Sequence, residues 1–423
     1  MKHTRPKGTK DFVPPESRRK QWAETEFRRL AELYGFQEIV TPIIEHTELF
    51  IKATGETSEI VTKEMYTFKD RSDRSITLRP EGTPGVARAV LENNLRRPCR
   101  LYYIGPMFRY NRPQKGRFRE FYQLGVECLG EADPGSDAEV IALGYEFFRA
   151  LGISDCETQI NSIGCRGGGE GELAHPAHQC RIAYHEQLRG YLAGLSAQLC
   201  VACQVRAEQN PLRVFDCKEA SCQELLAGAP RSKDNLCPAC AEHFAGVQAA
   251  LRARGVPFAI NDRMVRGLDY YSRTAFEYVS RSIGAQDSLG GGGRYDYLIE
   301  DFGGPHVPAI GFALGEERAL LAAQPNCDFG GRLVFVVALS ANEQSAGLAL
   351  LAELRAAGIP AQMDFDHAQV KQQFRAADNA GAQYCLILGE NEIARGTVSM
   401  KDLATGEQQE IKRGDLIGRL KVS

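Results

Sequence analysis

Apolar positions along the chain recur with two different periods, and their order predicts the folding plan. Over residues 17–34, Trp22, Phe27, Leu30, Leu33 and Tyr34 recur at roughly helical spacing until Gly35 ends the run. Residues 36–45 and 74–83 read as strands, the second ending at Pro80, and 84–95 read as a helix. Two runs, 101–110 and 120–129, are rich in aromatic and β-branched residues. The loop between them carries Arg112, Lys115, Arg117 and Arg119 with no acid, so an antiparallel pair with a basic tip is predicted. A helix over 137–151 and a strand over 157–164 follow.

The pattern changes after Gly164. The stretch 165–180 (CRGGGEGELAHPAHQC) is glycine-rich and reads as a loop, and helical patches follow it. Strand-like pattern returns at 256–262 and continues through the glycine run 290–293 to a helix near 315–323. Residues from about 166 to 255 are therefore expected to be an insertion into a larger domain spanning 1–325. Proline and glycine cluster at 323–331, marking a second break. Beyond it, strands at 332–339, 360–365 and 383–388 alternate with helices at 342–357 and 367–380. That alternation predicts a small, mainly parallel sheet with right-handed crossovers over 332–423. The whole reads as α+β, with no fixed-period repeat and no heptad run.

Composition narrows the options. A chain of 423 residues suits two or three domains, and 43% hydrophobic residues are ample for their cores. A net charge of −3 excludes a polybasic nucleic-acid binder, so any RNA contact must come from local basic patches. The N-terminus lacks the apolar core of a signal peptide, and no apolar run approaches about 18 residues, so a cytoplasmic protein with no membrane span is expected. Thirteen cysteines in that setting argue for thiols or metal ligands rather than disulfides. Eight of them lie between 165 and 240, including the CxxC pairs Cys200/Cys203 and Cys237/Cys240 and the looser pair Cys217/Cys222. The two CxxC pairs could build one tetrahedral zinc site, or the thiols could serve as small core residues.

Four stretches carry candidate chemistry. In 77–89 (TLRPEGTPGVARA), Glu81 beside Thr83 could accept hydrogen bonds from a substrate ammonium, or could merely favour a helix start. Arg109 is expected inside a strand, where its guanidinium would need an anionic partner. The loop arginines after it could grip phosphate bidentately or form a solvated hairpin tip. In 264–277 (MVRGLDYYSRTAFE), Arg266 and Asp269 stand among aromatic residues. If Tyr270 and Tyr271 lie on a strand they face opposite ways, one into a core and one into a cavity. The run 288–298 (SLGGGGRYDYL) fits no phosphate-loop pattern and reads as glycines permitting close backbone approach within a sheet. Arg318, near a helix start, could reach a phosphate or pair with an acid.

Taken in order, these stretches resemble the histidyl-tRNA synthetase family over essentially the whole chain. The segments 41–45 (TPIIE), 101–130 and 311–318 (GFALGEER) look like class II synthetase signatures, and 5–12 (RPKGTKDF) also matches. The stretches 265–271 (VRGLDYY) and 291–296 (GGGRYD) resemble the histidine-specific ones. The C-terminal pattern, with Lys371, 376–378, 386–390 and 401–407, resembles an anticodon-binding domain. The resemblance implies a six-stranded antiparallel catalytic sheet in a homodimer, ATP with Mg²⁺, histidine, and the histidine tRNA.

Carried over position by position, it implies that Glu81 and Thr83 bind the histidine ammonium, with Gln123 helping to hold the amino acid. Glu127 and Tyr271 would read the imidazole, and Tyr270 would line the same pocket. Arg109 would contact the α-phosphate and the carboxylate region, with Arg266 opposite it as the second catalytic arginine. Arg117 and Arg318 would hold the outer phosphates, and Arg112 and Gln114 would meet the acceptor end of the tRNA. One position departs from the family: Asn111 stands where an acid is usual, two residues after Arg109. Two rivals explain less of the chain. A synthetase-like regulatory subunit of histidine biosynthesis would typically lack the C-terminal domain, and a zinc-ribbon nucleic-acid binder would use only 200–240.

Overall fold

The aromatic, β-branched runs pair as their composition requires. Cys99–Phe108 lies antiparallel to Glu120–Leu129, with Cys99 opposite Leu129 and Phe108 opposite Glu120. The computed structural model describes residues 3–56, 58–166, 180–264, 268–284, 287–324, 333–366 and 369–422. They fall into two units, Met1–Pro325 and Asn326–Ser423.

Strands of the first unit are β1 (Gln37–Glu38), β2 (Ile44–His46), β3 (Tyr66–Lys69), β4 (Ser75–Leu78), β5 (Cys99–Phe108) and β6 (Glu120–Leu129). They continue with β7 (Glu157–Ser162), β8 (Ala259–Ile260), β9 (Ser272–Val279), β10 (Ser288–Arg294) and β11 (Ala309–Gly315). The main sheet has eight strands in the order β1-β5-β6-β11-β10-β9-β7-β8. Every pairing from β5 to β7 is antiparallel; the short strands β1 and β8 add parallel edges. Strands β2, β4 and β3 form a separate small sheet. Residues 36–45 are thus not one strand. Pro42 has no N–H to offer a ladder, and only the ends of the segment pair.

Helices of the first unit include α1 (Glu16–Leu33), α2 (Thr47–Thr54), α3 (Thr83–Glu92), α4 (Pro134–Ala150), α5 (Cys180–Ala193), α6 (Val201–Gln209), α7 (Ala220–Leu225) and α8 (Pro238–Ala253). Side-chain alternation gives the main sheet two faces. Leu124, Val126 and Cys128 of β6 point with Phe276, Tyr278 and Phe312 into a core shared with Phe27 of α1 and Phe147 of α4. Phe244, Val247 and Leu251 of α8 join that core. The opposite face packs Tyr103, Tyr270, Tyr271, Tyr295 and Ala275 against Val86 and Val90 of α3. Between α5 and α7 the chain builds its own small core from Tyr184, Leu188, Leu192, Leu212, Val214 and Leu226.

A buried ionic network ties the helical face together. Arg294 is fully buried and pairs with Asp137 at 2.7 Å and Asp296 at 3.0 Å, while His243 of α8 meets the other Asp137 oxygen at 2.9 Å.

The second unit holds β12 (Val334–Ala338), β13 (Ala361–Met363), β14 (Tyr384–Leu388), β15 (Thr397–Asp402) and β16 (Gln408–Lys412). Their order is β13-β12-β14-β15-β16. The first three are parallel, and β15 and β16 add antiparallel strands, which the sequence pattern misses. Strand β16 is almost wholly exposed and polar, so it carries no apolar alternation to read.

Candidate active site

One face of β6 presents Gln123, Gly125 and Glu127 in alternation. Gly125 lies beneath the Tyr103 ring; a Cβ there would stand 2.2 Å from Tyr103 Cζ. Gln123 sits between Gly105 on β5 and Gly315 on β11, so neither neighbouring strand covers it. Its Oε1 is buried with no hydrogen-bond partner among the described residues.

Glu127 is fully buried. Thr83 Oγ1 donates to Oε1 at 2.5 Å and Tyr295 Oη donates to Oε2 at 2.5 Å. Burial nevertheless dominates and pushes the carboxyl up to about 8. Directly across the ladder stands Gly311, whose hypothetical Cβ would meet Glu127 Oε2 at 1.9 Å. Glycine there is what makes room for the acid. Gly292 behaves alike: a Cβ would lie 1.9 Å from Gly311 O, so the glycine run does serve close backbone approach within a sheet.

Gly82 caps α3, which places Glu81 just ahead of the helix and Thr83 in its first turn. Tyr270 Oη donates to Glu81 Oε2 at 2.9 Å. Tyr270 and Tyr271 precede β9 rather than lying on it. Period-two alternation therefore does not separate them. Their rings stand 4.7 Å apart, and both line the cavity. Tyr295 packs edge-on to Tyr270 at 5.9 Å.

Glu81, Thr83, Arg109, Arg117, Gln123, Tyr270 and Tyr271 share a cavity of about 450 Å³. A second cavity of about 300 Å³ shares Arg109, Arg117 and Gln123 with it and adds Phe121 and Arg318. Arg109 lies just past the end of β5, not within it. Its Nε donates to Pro80 O at 2.9 Å and its guanidinium lies over Phe121 at 5.4 Å. Among the described residues it has no ion-pair partner. Arg318 donates to Ser288 O at 2.7 Å and to Gly116 O at 3.2 Å. Burial, then the nearby Arg117 and Arg109 charges, hold its guanidinium below its ordinary range. A guanidinium that faces two further arginines calls for an anion.

Arg117 donates to Asn111 Oδ1 at 2.7 Å and approaches Glu64 at 3.5 Å. Asn111 thus holds an arginine that an acid at this position would neutralise. Arg112 and Gln114 are exposed at the hairpin tip, outside both cavities. Arg266 and most of the glycine-rich loop, 167–179, lie outside the described residues.

The zinc set expected from the two CxxC pairs is corrected. Cys200 and Cys203 do not meet Cys237 and Cys240. Each pair instead joins two other cysteines, giving Cys200/Cys203/Cys217/Cys222 and Cys165/Cys180/Cys237/Cys240. The small core holding the first group and the root of the insertion holding the second are different places in the fold. Spacing finds CxxC pairs but not their partners across a fold.

Sequence reasoning also passed over residues that the insertion contributes. Arg206 of α6 and Arg213 of the turn Pro211–Asp216 line the larger cavity, with Glu59 and Glu277. Arg181, next to Cys180, donates to Tyr271 O at 2.8 Å. Tyr295 was legible only as part of a glycine-rich stretch.

A pocket of buried acid and tyrosine opening onto a ring of arginines, on a six-strand antiparallel core, marks a class II aminoacyl-tRNA synthetase. Residues 8–318 match the family model for histidyl-tRNA synthetase, and 333–422 match that for an anticodon binding domain. The chain belongs to the histidyl-tRNA synthetase family. A histidine–tRNA ligase of Moorella thermoacetica is 50% identical over 418 residues, covering 97% of this chain and 96% of that protein. One from Desulfitobacterium hafniense is 48% identical with the same coverage. Apo histidyl-tRNA synthetase of S. aureus aligns at a TM-score of 0.78 and 33% identity, covering 99% of this chain and 100% of that one.

Proposed function

We propose that this chain activates L-histidine with ATP to histidyl-adenylate, then transfers the histidyl group to the 3′ end of the histidine tRNA. The observation that carries this reading is the junction at Gln123 and Arg109. There a pocket walled by Glu81, Thr83, Tyr270 and Tyr271 opens onto one ringed by Arg109, Arg117 and Arg318. A cationic amino acid suits the first, and a triphosphate with its Mg²⁺ suits the second.

In the first step a histidine carboxylate oxygen attacks the α-phosphorus and pyrophosphate leaves. Charge builds on the pentavalent phosphorus. Arg109, with Arg266 assigned to the opposite side, stabilises it by preorganised electrostatics. Arg117 and Arg318 take the leaving phosphates. Glu81 and Thr83 hold the ammonium, Gln123 orients the amino acid, and Glu127 reads the imidazole beside Tyr271. An isostere without a ring N–H deprives the buried acid of that donor, which makes the pocket selective. In the second step a terminal ribose hydroxyl attacks the acyl carbonyl and AMP leaves.

Residues 1–325 would supply this chemistry, with the insertion at about 166–255, and 332–423 would read the anticodon. The exposed Arg112 and Gln114 suit contact with the acceptor end. A homodimer fits the solvent-facing Val40, Ile43, Ile44 and Phe68 around the small sheet, an apolar surface that a second copy would cover. Among the described residues no helix is long and apolar enough to cross a membrane. The proposed setting is the cytoplasm.

Aminoacylation of total tRNA with each amino acid, followed by identification of the charged species, tests the reading. Histidine on its own tRNA is expected; another amino acid overturns it. Arg266→Ala is expected to lose histidine-dependent ATP–pyrophosphate exchange while its thermal melt persists. Normal exchange in that variant removes the catalytic role of Arg266.

A further inference from the structure

Eight cysteines of the insertion region are drawn into two groups of four. Within each group all four sulfur atoms lie within 4.8 Å of one another. Tetrahedral zinc with Zn–S bonds of about 2.3 Å sets its sulfurs roughly 3.8 Å apart. Cys165 and Cys237 stand 3.9 Å apart, Cys200 and Cys217 3.8 Å, and Cys165 and Cys180 3.3 Å. Seven of the eight are buried, and Cys200 is half-buried. Backbone amides point at the sulfurs: Cys165 N donates to Cys180 Sγ at 3.1 Å, and Cys200 N donates to Cys222 Sγ at 3.3 Å. Amide donors of this kind stabilise thiolates bound to a metal. Four thiols packed only as small apolar residues would not need to converge sulfur on sulfur.

We propose that the insertion binds two zinc ions, one in each four-cysteine cluster, and that these ions set the insertion's side of the active-site cavity. The site at Cys165/Cys180/Cys237/Cys240 closes the root of the insertion, because it joins the segment after β7 to the start of α5 and of α8. Its neighbour Arg181 donates to Asp269 O at 3.3 Å and to Tyr271 O at 2.8 Å, so the metal lies one residue from a clamp on the tyrosine turn. The other site brackets the segment that carries Arg206 and Arg213: Cys200 and Cys203 stand at the start of α6, and Cys217 follows the turn Pro211–Asp216. Both arginines line the cavity. Zinc suits four thiolates with no open coordination position, so these ions are structural and take no part in the chemistry.

The test uses the full-length chain, purified without a histidine tag and in reductant, from zinc-supplemented cells. Elemental analysis is expected to give about two zinc per chain, and the cobalt-substituted protein should show tetrahedral thiolate–cobalt bands. Cys203→Ser/Cys222→Ser and Cys237→Ser/Cys240→Ser should each lose one zinc and keep the other. In the first variant the KM for histidine or ATP should rise more than kcat falls. Arg206→Ala/Arg213→Ala should reproduce that KM shift with both zincs retained. Zinc near zero with eight thiols open to a thiol reagent in folded protein, or iron in place of zinc, overturns the zinc sites. One zinc per chain overturns the two-site form. Unshifted KM values in both the first cysteine variant and the arginine variant overturn the positioning role. Zinc content does not depend on the synthetase reading, so each can fail without the other.

Discussion

Tyr295 donates its hydroxyl to Glu127 at 2.5 Å, so the buried acid of β6 is oriented by a residue just past β10, two strands away in the sheet. Together with Thr83 it fixes both carboxylate oxygens. Such a hydrogen bond is worth roughly 0.5–1.5 kcal/mol to a neutral group and roughly 1.5–3 kcal/mol to a charged one. Tyr295→Phe should therefore raise the KM for histidine by about ten-fold or more while leaving the KM for ATP near its starting value, as read by pyrophosphate exchange. Equal shifts in both would mean that Tyr295 acts on the fold at large.

Glu127 gives a pH dependence with a definite sign. Its carboxyl is held at about 8 by burial, above the ordinary 4.5. The folded protein then binds more protons than the unfolded chain between those values, so this group's contribution to stability is present at low pH and is lost as pH rises toward 8. Glu127→Gln should melt higher than the parent without ligand, and the gain should grow from pH 5 to pH 8.5. Buried Glu316 and Glu317, raised to about 8 and about 7, will keep part of the slope in the variant. A constant Tm difference across that range would contradict the assignment.

Binding should follow the same proton. Neutral imidazole on protonated Glu127 and imidazolium on ionised Glu127 hold the same number of protons. The KM for histidine should be flat between free imidazole's value of about 6.5 and the Glu127 value, and rise above it. An exchange assay across pH 6–9.5 reads this directly. Glu127→Gln should lose the Glu127 part of the alkaline rise, keeping only that from the histidine ammonium, along with most of the affinity.

Gly311 is the steric counterpart of Glu127. A Cβ at this position would lie 1.9 Å from Glu127 Oε2 and 2.4 Å from Val126 O. Backbone cannot yield as a flexible chain end does, so Gly311→Ala should displace the carboxylate. Loss of histidine-dependent exchange is expected, with a destabilisation of about 1–3 kcal/mol. Full activity would show that the strand pair can part without cost.

Arg294 is fully buried between Asp137 and Asp296. Removing one partner of a buried ion pair typically costs about 3–5 kcal/mol. Arg294→Met should lower the denaturation midpoint accordingly. Asp137→Asn alone should cost less, because the amide oxygen still accepts one hydrogen bond.

How much of this was readable beforehand depended on the kind of signal. Strands β5 and β6 announce themselves through aromatic and β-branched density, and α1 through its apolar period. The break at Pro42 and the polar hairpin β15–β16 did not, because one violates a strand rule and the other has no buried face. Residue identity placed Arg109, Gln123 and Glu127 near one another only through their stretches. That Arg109 and Gln123 line both joined cavities while Glu127 lies fully buried needed the three-dimensional structure. The partners of each CxxC pair, and the reach of Arg206 and Arg213 into the cavity, are long-range facts that no local spacing encodes.

The glycine-floored centre of the sheet has a genetic consequence. Gly292 and Gly311 each face an oxygen 1.9 Å from where a Cβ would be. Every single-base change that replaces a glycine codon with another amino acid introduces a Cβ. These two positions therefore have no conservative missense neighbour, and a saturation screen for growth should find them intolerant even of alanine, while the exposed Arg112 at the hairpin tip should tolerate lysine.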